Sequence, residues 1–400
     1  MIALTALVTT LPWSASTARA TTSSKPIAVA ADAGTPPFAN PPVWLGHCTA
    51  LTVPVTLPNR AAAHMAGHLC VPARARPHVV LLLLHGATYN SSYWSWPQDP
   101  ADRSFVWQAL AAGYAVMVPD RLGYGQSSRP SSSEVTFTAQ ARTLHQVVLD
   151  LHNGRLGRYQ SIIGIGHSYG SAELANLAAT YPHDVAAVIM TGSGHQLSTQ
   201  TTQQAATLLA PATSVLPQRF GNLDPGYVTA VNAQARLALL YDPHFVSPAV
   251  LDYDTATEDT LPIGEAATRP PDIAVDTTQF TVPSMLIDGQ HDSHYCDGAQ
   301  TIPESGLDDC SSGAALYASE RANYPPCFAA AVVPDSGHDL TTEQGASLAA
   351  RLMLHWALAT LPPMDTVAKC SVVGFRWSAG KGTAERSPAS HAPMAGHRYS

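Results

Sequence analysis

Charged side chains are scarce in this chain. Asp, Glu, Lys and Arg together form 12% of its 400 residues, and their balance leaves a formal net charge of −8. A protein that grips nucleic acid needs a basic face to neutralise phosphates, so nucleic acid is not an expected partner. Long apolar runs are also missing. The apolar part of the opening "MIALTALVTTLPWSASTARATTSS" covers about a dozen residues, short of the roughly 20 that cross a bilayer, and no stable membrane anchor is expected. No internal repeat is present either.

What is there is ample apolar material. At 46% apolar residues and 42.1 kDa, the chain can build one large α/β domain or two ordinary ones. Ala18-Arg19-Ala20 has the pattern of a signal peptidase site, with a second small-residue site at Ala28-Val29-Ala30. Residues 1–20 therefore read as a signal peptide, cut after 20 or 30, and the protein as secreted. The six cysteines, an even number, fit that compartment. Cys48 and Cys70 bracket two short β-like runs that a hairpin would bring together, so Cys48–Cys70 is the first expected pair. Cys310–Cys327 is the second, leaving Cys296 and Cys370.

From residue 78 onward, apolar runs of strand length alternate with amphipathic helical stretches. The runs "HVVLLLL", "YAVMVP", "SIIGIG", "VAAVIM", "VPSMLID" and "FAAAVVP" are apolar on both faces, as buried parallel strands are. The expected fold class is α/β, with a mostly parallel, doubly wound sheet. Between 193 and 281 no strand is evident, only Ala-rich helical pieces broken by prolines. This reads as a helical cap inserted into a core formed by 48–192 and 282–362. The Pro-, Ser- and Ala-rich segment 21–47 is expected to be disordered, and 371–400 to be a flexible tail.

One turn stands out. In "SIIGIGHSYGSAE", Ser168 sits between a strand-like run and a helix start, two residues after Gly166 and two before Gly170. An alcohol is a poor nucleophile unless a base, an orienting acid and oxyanion donors surround it. A sharp strand-turn-helix bend exposes it, flanking glycines remove Cβ atoms that would clash, and the helix N-terminus points N–H groups toward the attacking oxygen.

Gly166-His167-Ser168-Tyr169-Gly170 resembles the nucleophile elbow of the α/β-hydrolase fold family, of the serine esterase and lipase type. Three more features carry the resemblance, which covers about residues 48–362. "LLLLHGATYNSSYW" ends its strand on His85-Gly86, and in this family the following loop supplies one oxyanion N–H. That maps onto Ala87, with Thr88 as the alternative, and the second donor onto Tyr169. "VPDRLGYGQSSRP" resembles a family loop of architectural role, so Asp120 and Arg121 are assigned no chemistry. The family order of serine, acid, histidine then implies Asp292 in "SMLIDGQHDSHYCD" and His338 in "AVVPDSGHDL". Asp288 and Asp297 are the alternative acids, and Asp339 is excluded by its adjacency to the base. His167 and His85 are implied as supporting residues.

The resemblance implies carboxylic ester hydrolysis through an acyl-enzyme, on a small-molecule ester, with no metal or organic cofactor. Thioesterase, peptidase and lyase or cyclase chemistry use the same triad, and a non-catalytic binding protein on this scaffold is the alternative of a different class. Serine in place of aspartate argues against epoxide hydrolase and haloalkane dehalogenase chemistry. His291, His294 and Cys296 form an alternative metal cluster; His64 and His68, in a predicted strand, read as ordinary polar residues. Tyr89, Tyr93, Trp94 and Trp96 either wall the pocket or wedge a long loop onto the sheet.

Overall fold

The six side chains of Val79–Leu84 are all fully buried in the computed structural model, which describes residues 27–28, 38–268 and 277–370. Side chains alternate across a strand. Val79, Leu81 and Leu83 accordingly join one apolar cluster, and Val80, Leu82 and Leu84 join another. Each such burial stabilises the fold by about 1.5–3 kcal/mol. Apolarity on both faces follows because helices cover both sides. Phe105–Ala111 and Ala346–Thr360 pack on one side; Phe137–Asn153 and Tyr169–Thr180 pack on the other.

The strands in chain order are β1 (Ile27–Ala28), β2 (Gly46–Thr56), β3 (Ala62–Pro72), β4 (Val79–Leu84), β5 (Ala115–Pro119), β6 (Ser161–His167) and β7 (Ala187–Thr191). Three short ones follow, β8 (Leu209–Pro211), β9 (Tyr227–Ala230) and β10 (Leu261–Pro262), then β11 (Ser284–Gly289) and β12 (Phe328–Val333). Nine of them form the main sheet in the order β1-β2-β3-β5-β4-β6-β7-β11-β12. Pairing is antiparallel through β1, β2, β3 and β5 and parallel from β5 to β12. The fold is α/β with a mostly parallel sheet, as the alternating pattern predicts. Helix starts follow their sequence signals: Thr136 and Ser104 each accept a backbone N–H of the first turn, and Gly154 ends its helix at φ 92°.

Three expectations need correction. The segment 193–281 is not purely helical, because β8, β9 and β10 form a small antiparallel sheet beside helices Thr199–Leu208, Ala233–Leu240 and Pro248–Thr257. Its strands are too short to show alternation, and Pro211 and Pro262 sit on the two edge strands, where a missing N–H is tolerated.

The segment 21–47 is not wholly disordered. Phe38 stacks on His68 at 3.9 Å, Trp107 Nε1 donates to the Ala39 carbonyl at 2.8 Å, and Ile27–Ala28 pairs with β2. A few anchoring contacts suffice to dock a stretch rich in Pro, Ser and Ala. The expected signal peptide and the tail 371–400 lie outside the described residues.

The disulfides are Cys48–Cys70, Cys296–Cys310 and Cys327–Cys370. The first joins directly opposed residues of β2 and β3, as expected; Cys310–Cys327 does not form. A bridge between Cys296 and Asp308 returns the chain so that Cys310 meets Cys296. Cys327 lies just before β12 and joins Cys370 beyond the last helix, where Lys369 N–H bonds to the Thr360 carbonyl.

Candidate active site

Ser168 is held at φ 53° and ψ −118°, between the end of β6 and the helix Tyr169–Thr180. A non-glycine residue in that region stores about 1–3 kcal/mol of strain, so its surroundings must over-determine it. Its N–H donates to the Thr191 carbonyl at 2.8 Å. Ser171 Oγ both donates to and accepts from the Thr191 backbone. The two glycines are required by close approach. A Cβ on Gly166 would lie 2.5 Å from the Gly170 carbonyl oxygen, and one on Gly170 would lie 2.3 Å from the Leu84 carbonyl oxygen.

Across the sheet edge, the loops after β11 and β12 bring two more side chains to Ser168. His338 Nε2 lies 2.9 Å from Ser168 Oγ, and His338 Nδ1 lies 2.8 Å from Asp292 Oδ2. An ionised carboxylate only accepts, so Nδ1 carries the imidazole proton and Nε2 is left to accept from the serine hydroxyl. Asp292 and His338 are buried and Ser168 is half-buried. Burial alone would raise the Asp292 carboxyl; the adjacent His338 and the hydrogen bonds from His294 and His338 outweigh it and hold the group well below the usual carboxylate range.

The alternative acids are directed elsewhere. Asp288 Oδ1 accepts the Ser193 N–H at 2.9 Å, and its carboxyl is pushed well upward by burial and by the charge of Asp292. Asp297 is exposed at the start of a 3-10 turn. Asp339 accepts from His167 Nε2 at 2.7 Å and from the Tyr89 hydroxyl.

The metal reading of His291, His294 and Cys296 loses its thiolate to the Cys296–Cys310 bond. Among the described residues, Asp292, His294 and His338 offer ligand atoms within 4.8 Å of one another. However, both His338 nitrogens and both Asp292 oxygens already have hydrogen-bond partners. His294 stacks on His338 with ring centroids 3.7 Å apart, a contact not legible from sequence. Burial, then the neighbouring His338, lowers its pKa to about 4, so it is neutral at pH 7.

Ala87, Thr88 and Tyr169 line one cavity with Ser168 and His338. His85 braces the loop. Its Nδ1–H donates to the Gly86 carbonyl and its Nε2 accepts the Arg121 N–H, a neutral tautomer favoured by burial. Of the four aromatics, only Tyr89 reaches the cavity. Tyr93 stacks on His167 at 4.6 Å, Trp94 packs against Phe105, and Trp96 against Tyr253. The others wedge the loop onto the fold, correcting the aromatic-wall alternative.

Residues 81–351 match the model of the alpha/beta hydrolase family. The chain belongs to that family. Two curated relatives match in part. Protein ABHD8 of Mus musculus is 33% identical over 121 residues, covering 30% of this chain and 24% of its own. Lipase 1 of Psychrobacter immobilis is 37% identical over 73 residues, covering 18% and 22%. The chain thus matches about a quarter of the length of these relatives. Among solved structures, a thermophilic esterase from Thermogutta terrifontis superposes with a TM-score of 0.53 at 19% identity, over 76% of this chain and 97% of its own. A putative aryl esterase from Burkholderia cenocepacia gives 0.51 at 16%, over 76% and 97%. At such identities the likeness is one of fold.

In this alpha/beta hydrolase, buried Arg121 and Arg236 and half-buried Arg129 clamp the inserted segment onto the core. Arg121 pairs with Glu173 of the core at 2.9 Å and with Glu265 of the insertion. Arg129 pairs with Asp259 at 2.7 Å. Arg236 pairs with Asp254 at 2.8 Å, donates to Thr88 Oγ1, and lies over the Tyr89 ring. Arg121, to which the sequence assigns no chemistry, ties Glu265 of the insertion to Glu173 of the core. Among the described residues, no helix is long and apolar enough to cross a membrane.

Proposed function

We propose that this hydrolase cleaves carboxylic esters of small molecules through an acyl-enzyme on Ser168, and that it works outside the cell. The observation that carries the reading is the unbroken line Asp292–His338–Ser168, at 2.8 and 2.9 Å, on the rim of a cavity. His338 Nε2 takes the hydroxyl proton as Oγ bonds to the carbonyl carbon, and the carbonyl electron pair moves to oxygen. The N–H groups of Ala87 and Tyr169 receive that oxyanion. Collapse expels the alkoxide, to which His338 returns the proton, leaving Ser168 acylated. Water, deprotonated by the same imidazole, then bonds to the acyl carbon; the carbon–Oγ bond breaks, Oγ takes the proton back from His338, and the acid leaves. Asp292 fixes the tautomer and stabilises the imidazolium in both halves.

The two solved neighbours, one an esterase and the other a putative aryl esterase, agree with an ester substrate. Export is supported by the small-residue cleavage pattern after the apolar leader and by the pairing of all six cysteines. The test is covalent. A fluorophosphonate should modify the folded protein at Ser168, and Ser168→Ala should abolish labelling and lower kcat by up to about 10⁶-fold. A folded protein that carries no adduct would refute the reading.

A further inference from the structure

The wall of the cavity is chemically one-sided. Among the described residues no Asp, Glu, Lys or Arg side chain lines it. Tyr89, Ala230, Leu239 and Leu261 line it and are buried, so they form its enclosed end. Exposed Thr202 and half-buried Ala205, both on Thr199–Leu208, form its open side.

Three hydroxyls along this wall are already engaged. The Tyr89 hydroxyl donates to Asp339. Thr201 Oγ1 donates to the Ser293 carbonyl at 2.7 Å, and Thr202 Oγ1 to the Ser198 carbonyl at 3.0 Å. Arg236 lies over the Tyr89 ring, but its guanidinium is held by Asp254 and Glu258 and does not line the cavity. A charged substrate arm would therefore be buried with no counter-ion, a heavy cost.

Size adds a second limit. The cavity volume is about 150 Å³. An apolar protein cavity of about 150 Å³ is known to hold one benzene molecule.

We infer that the substrate is a neutral ester with one apolar arm about the size of a benzene ring, a short alkyl chain or an aryl group, lodged against Leu239 and Leu261. This rests on the ester-hydrolase reading and names its substrate class. The arm is uncharged and short, which excludes long-chain lipids as preferred substrates. The other arm faces the open side, so it is not constrained in length.

The experiment uses the full chain and two series, p-nitrophenyl esters of lengthening acids and acetates of lengthening alcohols. In one series kcat/KM should peak at about four to six carbons, or at the aryl member, and fall at least about tenfold by ten carbons. A p-nitrophenyl half-ester of succinic acid should be turned over at least about 100-fold less well than the neutral pentanoate. Leu239→Ala and Leu261→Ala should each move the optimum to longer chains. Should a truncation fail to fold, Leu239→Trp should lower kcat/KM for the preferred ester at least about tenfold more than for the acetyl member.

Profiles that rise toward twelve carbons in both series, or a succinyl half-ester turned over as well as the pentanoate, would overturn the inference. Fluorophosphonate labelling of Ser168 separates the two levels. A labelled enzyme with the wrong profile defeats only the substrate class, whereas an unlabelled folded protein defeats the ester reading and this inference with it.

Discussion

Asp339 Oδ1 lies 2.7 Å from His167 Nε2, and both side chains are fully buried. Each residue is the chain neighbour of a proposed catalytic group: His167 precedes Ser168, and Asp339 follows His338. The pair ties the strand that carries the serine to the loop that carries the imidazole. Tyr89, whose hydroxyl donates to the same carboxylate, ties in the loop after β4. We propose that Asp339 is a positioning residue that helps hold the 2.9 Å approach between His338 and Ser168.

Loss of that tie should act on turnover more than on binding. Asp339→Ala should lower kcat by about 10–100-fold, as misplacement of reacting groups by about 1 Å does, with KM nearly unchanged. Asp339→Asn keeps an acceptor for His167 and should restore most of the rate. Steady-state kinetics on both variants checks this; equal defects in both would assign the carboxylate a purely electrostatic role.

The pH dependence of stability has a definite sign above neutrality. Burial pushes Glu343 up to about 9, despite N–H donors from Asp242 and Gly337. Burial, then Glu320, pushes Asp308 up to about 9. For each, the folded state keeps a proton that the unfolded chain, with a carboxyl pKa near 4, has released. Their contribution is fully present below pH 4 and is lost as pH rises through 9. The melting temperature should fall between pH 7 and pH 9, and Glu343→Gln with Asp308→Asn should flatten that slope. An unchanged slope in the double variant would contradict the assignment.

Acid should destabilise the molecule through a different set. The folded-state pKa of Asp292 is depressed, so its stabilising share is present above the unfolded carboxyl value and is lost as pH falls through the folded value. His294, neutral when folded with a pKa of about 4, adds to this, because the unfolded chain protonates it first, from about pH 6.5 downward. His294→Gln should therefore reduce the loss of stability between pH 6.5 and pH 4, measured by urea unfolding at each pH.

The insertion should loosen when its clamp is cut. Glu265→Leu leaves Arg121 with Glu173 alone. Removing one partner of a buried ion pair costs about 3–5 kcal/mol. Urea unfolding should show that loss, and KM should rise because Leu239 and Leu261 belong to the same insertion.

The elbow tolerates no side chain at its glycines. Gly170→Ala would bring a Cβ within 2.3 Å of the Leu84 carbonyl oxygen, so the backbone must shift. Overpacking of this kind costs about 1–3 kcal/mol or more, and here it displaces Ser168. The variant should be soluble but slow to label with a fluorophosphonate; wild-type labelling kinetics would contradict the crowding argument.

The main strands were legible because doubly covered strands are apolar at every position, as in Val79–Leu84. Ser168, His85 and Gly86 were legible because a sharp turn between strand and helix imposes its residues locally. Asp292 and His338 could be located only through a known chain order. Two aspartates lie within five residues at the end of β11, Asp288 inside the strand and Asp292 in the loop after it; only the fold shows that Asp288 turns to the Ser193 N–H and Asp292 to His338. The prolines of β8 and β10 made a small sheet look like broken helix.

The sequence by itself determined the alternation of buried strands and helices, the glycine-flanked turn and the scarcity of charge, because these depend on residue type and spacing of only a few positions. Only the tertiary structure decided the partners of Cys296 and Cys327, the stacking of His294 on His338, the tie between His167 and Asp339, and a cavity that no Asp, Glu, Lys or Arg lines among the described residues. Those contacts join residues far apart in the chain, and their distances follow from how the loops and the insertion pack over the sheet edge.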